Sequence, residues 1–116
     1  MLQKFLSLFG AAPKPEKERS PLWAKVRAAH LKAHPVCEGC GSKEKLNVHH
    51  CVPFWKDPSQ ELEAGNLITL CEGDALNCHF TFGHRKLSWK DWNPNVRIDA
   101  PLFRAFLEKI QQKLKE

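Results

Sequence analysis

Four cysteines at metal-binding spacing constrain this chain more than any other feature. Cys37 and Cys40 form a CxxC pair, and Cys71 and Cys78 form a second, wider pair. The chain has 116 residues and five cysteines, so a complete set of internal disulfides is impossible. A domain this small buries a limited share of its surface and often gains from a metal staple. The spacing therefore predicts a zinc-stapled fold in a reducing compartment.

We assign this zinc to folding. Four thiolates leave no open coordination position, which is the arrangement of structural rather than catalytic zinc. A single CxxC also occurs in redox proteins, and six residues separate Cys71 from Cys78. Two alternatives stay open: the cysteines are buried without a metal, or Cys51 replaces Cys78 as a ligand. Otherwise we expect Cys51 to be small, buried and inert.

The order of apolar and polar segments predicts a small α+β chain. Residues 1–19 are interpreted as a tail and linker, and residues 20–116 as a single domain. Ser20-Pro21 predicts a helix start and Pro35 predicts its end. The apolar stripe of this helix is formed by Leu22, Val26, Ala29 and Ala33. The segments LNVHH and LITLC then predict the two strands of a hairpin, and a short helix is expected near Cys78.

A last helix is predicted near the end of the chain, with Asp99 as its cap. One face of this helix is apolar and is expected to pack in the core, with docking of a partner as the alternative. The face consists of Leu102, Phe103, Phe106, Leu107, Ile110 and Leu114.

The charge of the chain is modestly basic. A formal net charge of +5 and a pI of about 9.1 fit a polyanionic partner without proving one. No apolar run approaches the roughly 20 residues that a bilayer span needs. The first residues, MLQKFLSLFGAAP, faintly resemble a signal peptide. We discount that interpretation, because free thiols at metal spacing suit the cytoplasm.

The histidines near the cysteines exceed what a zinc staple needs. Of six histidines, four lie in or beside the cysteine pairs: His49, His50, His79 and His84. Neutral imidazole is both the usual base near neutral pH and a common metal ligand. This surplus predicts a second site, at which one histidine activates water and others hold a cation.

The ordered set of His49-His50, then Asn66 before an apolar strand, then Cys78-His79 and Gly83-His84, resembles the HNH endonuclease family. The segments SPLWAKVRAAHLKAHPVCEGCG and FGHRKLSWKDWNPNV look like those of bacterial and phage members, so the resemblance covers roughly residues 20–110. It implies a ββα-metal core with a structural zinc knuckle, flanked by an N-terminal and a C-terminal helix.

The resemblance also implies roles for individual residues. His50 matches the general base and Asn66 the residue that steadies the loop bearing this base. His49 and His84 match ligands of a catalytic divalent ion, and His79 is left open as a further ligand. His79 and His84 are five residues apart, about 140° around an ideal helix, so both can face one ion only if the helix is bulged or ends near Gly83. Similarly, His49 and its neighbour can share a cleft only if their strand ends or twists there.

The implied activity is metal-dependent hydrolysis of DNA phosphodiester bonds with low sequence specificity. The catalytic ion would be Mn²⁺, Ni²⁺, Mg²⁺ or Zn²⁺, in addition to the structural zinc. Arg85, Lys86 and Lys90 are candidates for phosphate contacts, or else a solvated charged face.

Three points remain open in the sequence. Trp55, Trp89 and Trp92 are expected to stack on bases or to pack in the core. The resemblance to phage members suggests a packaging partner such as terminase in a bacterial host cell. The alternative function is a non-catalytic zinc module that binds nucleic acid or protein.

Overall fold

The computed structural model describes residues 18–73 and 75–116. Helix α1 (Trp23–Ala33) leads to strand β1 (Leu46–His50), strand β2 (Leu67–Cys71) and helix α2 (Val96–Lys115). A single π-helical turn, His79–Gly83, lies between β2 and α2. The small α+β class is thus confirmed, and the short helix near Cys78 has π rather than α geometry. The segment MLQKFLSLFGAAP, whose interpretation as a signal peptide was discounted above, lies outside the described residues.

The two strands form an antiparallel sheet in which His50 pairs with Leu67 and Leu46 pairs with Cys71. All five residues of β2 are buried, which explains its continuous apolar run. The connection between the strands contains two short 3₁₀ turns, Pro58–Gln60 and Ala64–Asn66. This register places the end of β1 beside the start of β2, where the loop that follows His50 is anchored.

The core is small and centred on cysteines. Its buried members are Cys37, Ile68, Leu70, Cys71, Cys78, Val96 and Ala100. Burial of apolar side chains alone contributes little stability here, because three of these seven buried residues are cysteines. The placement of the cysteines therefore decides how the elements meet.

The face of helix α1 that contacts the sheet matches the predicted stripe only in part. Val26 is half-buried, whereas Leu22 is 56% exposed and the two alanines of the stripe are exposed as well. The half-buried side also includes Trp23, whose ring lies 4.4 Å from that of His50, and no residue of α1 is fully buried. The prediction was incomplete because it left out the bulky aromatic side chain at the start of the helix.

Helix α2 also departs from two predictions. It begins at Val96 after Asn95, so Asp99 does not cap it and instead accepts a hydrogen bond of 2.7 Å from Asn93 Nδ2. The expected core face is largely exposed, by 63% at Leu102 and 58% at Phe106. Every residue beyond Leu107 is exposed, because the helix continues past the part of the domain that could cover it.

None of the helices in residues 18–73 and 75–116 combines the length and the apolar composition needed to cross a bilayer.

Candidate metal centres and active site

The four metal-spaced cysteines come together in one cluster. The sulfur atoms of Cys37, Cys40, Cys71 and Cys78 all lie within 4.8 Å of one another. The Sγ atoms of Cys40 and Cys71 are 3.5 Å apart. Thiolates about 2.3 Å from a tetrahedral zinc lie about 3.8 Å from each other. The cluster is therefore compatible with a structural zinc site, and the alternative ligand Cys51 lies outside it.

The surroundings of Cys37 stabilise its thiolate form. Its Sγ accepts hydrogen bonds from three backbone N–H groups, those of Gly39 at 3.3 Å, Cys40 at 3.4 Å and Cys71 at 3.3 Å. Together with the thiol of Cys78, the largest cause, these donors lower the pKa of Cys37. A methyl group at position 39 would lie 2.9 Å from Cys78 Sγ, so glycine is needed in this turn.

A second cluster is formed by His49, His79 and His84. The π-helical turn creates it, since the N–H of His84 donates to the carbonyl of His79, five residues earlier, at 3.2 Å. This wider turn brings together two side chains that an α-helix would separate by about 140°. The Nε2 atoms of His79 and His84 are 3.3 Å apart, and Nδ1 of His49 lies 3.1 Å from Nε2 of His79.

Hydrogen bonds outside the cluster determine which ring nitrogen of His79 and of His84 carries the proton. His84 Nδ1 donates to the carbonyl of Asp91 at 2.7 Å, and His79 Nδ1 donates to Glu72 Oε1 at 3.0 Å. Because a carbonyl and a carboxylate only accept, the neutral form of each ring has its proton on Nδ1 and its lone pair on Nε2, facing the other ring. Two lone pairs at this distance repel unless a cation lies between them.

The cluster fits a divalent ion on two counts. Imidazole nitrogens about 2.1 Å from a tetrahedral ion lie about 3.4 Å apart, close to the spacing observed. Burial first, and the neighbouring rings of His79 and His84 next, lower the pKa of His49 to about 2, which keeps this ring neutral. Among the described residues its Nε2 is buried without a hydrogen-bond partner.

Gly83 lets the π-helical turn approach His49. A Cβ at this position would lie 2.9 Å from Cε1 and Nδ1 of the His49 ring. Any larger residue must therefore displace either the ring or the turn.

His50 lies at the last position of β1, so the condition for sharing a cleft with His49 is met. Both histidines line a cleft of about 500 Å³. His50 Nε2 donates to the carbonyl of Glu61 at 2.9 Å, which leaves the lone pair on Nδ1. Burial lowers the pKa of His50, so the neutral form that can accept a proton is favoured.

The side-chain amide of Asn66 binds two backbone segments near His50. Its Oδ1 accepts from the N–H of Val52 at 2.7 Å, and its Nδ2 donates to the carbonyls of Val52 at 3.0 Å and Gln60 at 3.2 Å. The amide is thus occupied by the backbone that follows His50 and the backbone that precedes its partner Glu61. Asn66 therefore ties these two backbone segments together.

The predicted phosphate contacts are not among the described residues that line the cleft. Arg85, Lys86 and Lys90 are exposed, and Arg85 forms an ion pair of 2.5 Å with Asp91. Arg19 and Arg27 line the cleft instead. Sequence reasoning missed both: Arg19 looked like linker, and Arg27 lies one helical turn after Trp23, a spacing that would have placed it on the inward face.

Comparison with known proteins agrees with this geometry. Residues 37–85 match the family model described as HNH endonuclease. No curated protein and no solved structure matches the chain. The matched segment contains all four clustered cysteines and both histidine sites. Residues 37–85 are therefore similar to the HNH endonuclease family, in agreement with the sequence resemblance.

Proposed function

We propose that this protein is a metal-dependent endonuclease that hydrolyses DNA phosphodiester bonds. The observation that carries the proposal is that a candidate metal site and a candidate general base lie side by side at the end of strand β1. His49 belongs to a triad of imidazoles suited to a divalent ion, while His50, whose Nε2 is bonded to the carbonyl of Glu61, lines the same cleft. Strand β1, strand β2 and the π-helical turn would then correspond to the ββα-metal core.

His49, His79 and His84 would hold the catalytic ion, which is proposed to be Mn²⁺, Ni²⁺, Mg²⁺ or Zn²⁺. When bound, the ion would offset charge on the phosphate in the transition state. Three imidazoles favour the nitrogen-preferring ions over Mg²⁺. The cysteine cluster would hold zinc and take no part in the reaction.

His50 would act as the general base. Its Nδ1 would take a proton from the attacking water, and its Nε2–H would strengthen the hydrogen bond to Glu61 as the ring became positive. Asn66 would hold the two backbone segments that fix this ring. Arg19 and Arg27 would bind the phosphate, because their guanidinium groups suit phosphate oxygens.

The non-catalytic zinc module is the second candidate. It explains the cysteine cluster equally well, but it gives no reason for three histidine nitrogens within 4.8 Å of one another beside a fourth, oriented histidine. A phage origin, a packaging partner such as terminase and a site of action in the host cytoplasm are parts of the proposal that rest on resemblance.

The test is plasmid nicking by wild type, His50→Ala and the control His34→Ala. His34 is exposed at the end of α1 and belongs to neither cluster. Each protein is first shown to be folded with about one zinc, and is then assayed with Mn²⁺, Ni²⁺, Mg²⁺ or Zn²⁺. Loss of a general base reduces rates by about 10²–10⁴-fold, so His50→Ala should lose nicking and His34→Ala should retain it.

Two results would contradict the proposal. Equal nicking by His50→Ala and wild type would remove His50 from the reaction. Absence of nicking by folded wild type with every ion would favour the binding module.

A further inference from the structure

Two tryptophans that line the cleft have solvent-exposed side chains. Trp55 is 61% exposed and Trp89 is 55% exposed, although large aromatic side chains usually supply burial in a domain of this size. Both line the same cleft as His49 and His50. Trp92, the third tryptophan expected to stack on bases or to pack in the core, is half-buried and does not line the cleft.

The backbone around Trp55 and the ring of Trp89 are held in place by neighbouring groups. Trp55 lies in a tight turn in which the N–H groups of Lys56 and Asp57 donate to the carbonyl of Pro53 at 3.0 and 3.1 Å. Trp89 packs against the His84 ring, with 4.8 Å between ring centroids. Each indole thus presents an aromatic surface to the cleft from a defined backbone position, which reduces the entropy lost when a ligand stacks on it.

The charge around these rings suits a nucleic-acid strand. Arg27 and Arg19 line the cleft, and none of its described lining residues is acidic, although Arg19 also pairs with Glu61 at 3.4 Å beside it. Arg27 Nη2 is oriented by Asn47 Oδ1 at 3.0 Å. A positive groove interleaved with exposed aromatic rings is the general arrangement of single-strand binding surfaces.

We propose that this cleft binds an unpaired stretch of DNA, with Trp55 and Trp89 stacking on bases next to the phosphate to be cleaved. The proposal rests on the endonuclease function and names its substrate class. In a duplex the faces of the bases are covered by neighbouring base pairs, so an indole ring has no base face to stack on. A cleft of about 500 Å³ is of the size that encloses small ligands, and it would receive a nucleotide that has left the stack.

The experiment measures binding of an oligothymidylate and of a blunt duplex of equal phosphate number, without added divalent ion and at fixed low salt. The variants are Trp55→Leu, Trp55→Phe and the control Ile98→Ala, an exposed apolar residue of α2 outside the cleft (59% exposed). Trp55 is chosen because Trp89 contacts metal-ligand candidates. Wild type should prefer the single strand, and Trp55→Leu should weaken that binding roughly tenfold or more while duplex binding changes little.

Trp55→Phe should restore most of the affinity, and Ile98→Ala should match wild type. Tighter binding of the duplex by wild type, or an equal loss on both ligands in Trp55→Leu, would overturn the proposal. The two claims are separated by the conditions: binding is measured without divalent ion and cleavage is measured with it. A failure of wild type to cleave therefore leaves the binding result intact, and a failure to prefer the single strand leaves the cleavage result intact.

Discussion

Glu72 shows how a single residue outside the histidine cluster can control it. Its carboxylate bonds Nδ1 of His79 at 3.0 Å and also accepts from Asn47 Nδ2, while Asn47 Oδ1 accepts from Arg27. The side chain that orients a metal-ligand candidate is thereby connected to a guanidinium of the cleft. A carboxylate on the outer nitrogen of a ligating histidine fixes the ring and raises its basicity.

We expect Glu72→Gln to weaken divalent-ion binding at the histidine cluster by about 10–100-fold. The neutral amide is a weaker acceptor for the Nδ1–H of His79, so the ring becomes a poorer ligand. The measurement is calorimetric titration of zinc-loaded protein with Ni²⁺. Glu63→Gln, which removes the same charge from an exposed position, should bind like wild type. Equal affinities in the two variants would exclude the positioning role.

Residue types were predictable from the sequence where the chemistry itself restricts them. The HNH resemblance singled out His49, His50 and Asn66, and the structure places all three at the same end of the two-stranded sheet. Glu72 and Arg27 were not, because their roles arise from strand register and from the rotation of α1 about its axis. Charged residues are common on any surface, so only the folded contacts distinguish these two from their neighbours.

At the scale of elements, the π-helical turn is the feature that sequence periodicity could not supply. Its stability depends on packing against the ring of His49, a contact between positions 34 residues apart at Gly83. A pattern of apolar residues every three or four positions favours ordinary α-helix, which would separate His79 from His84. The same long-range packing decides which face of α2 is buried, and there the apolar pattern was misleading.

Phe103 and Phe106 offer a matched test of that burial on one helix. The ring of Phe103 is half-buried and lies 5.0 Å from the ring of Phe82 in the π-helical turn, whereas Phe106 is 58% exposed. We expect Phe103→Ala to lower the free energy of unfolding by about 1–3 kcal/mol, less than a fully buried phenylalanine. Phe106→Ala should change it by less than about 0.5 kcal/mol. Urea denaturation of the zinc-loaded proteins compares them, and equal losses would mean that the outer face of α2 is covered in solution.

At the scale of the whole molecule, the cysteine cluster takes the place of an extensive core. It joins the turn after α1, the end of β2 and the residue before the π-helical turn. Zinc in small domains contributes an apparent binding free energy of about 10–16 kcal/mol, comparable with or larger than the total stability of most domains. The histidine cluster depends on the same scaffold, because His79 directly follows Cys78.

Removal of zinc should therefore unfold the domain rather than only inactivate it. We expect Cys71→Ser to lose the metal and its cooperative thermal transition, because serine is a poor zinc ligand and the cluster would keep three thiols that repel as they ionise. Cys51→Ser should retain about one zinc per chain and nearly the wild-type Tm, since Cys51 lies outside the cluster. Elemental analysis and circular dichroism measure both properties. A folded, zinc-loaded Cys71→Ser would refute the staple, and loss of zinc from Cys51→Ser would instead make Cys51 a ligand.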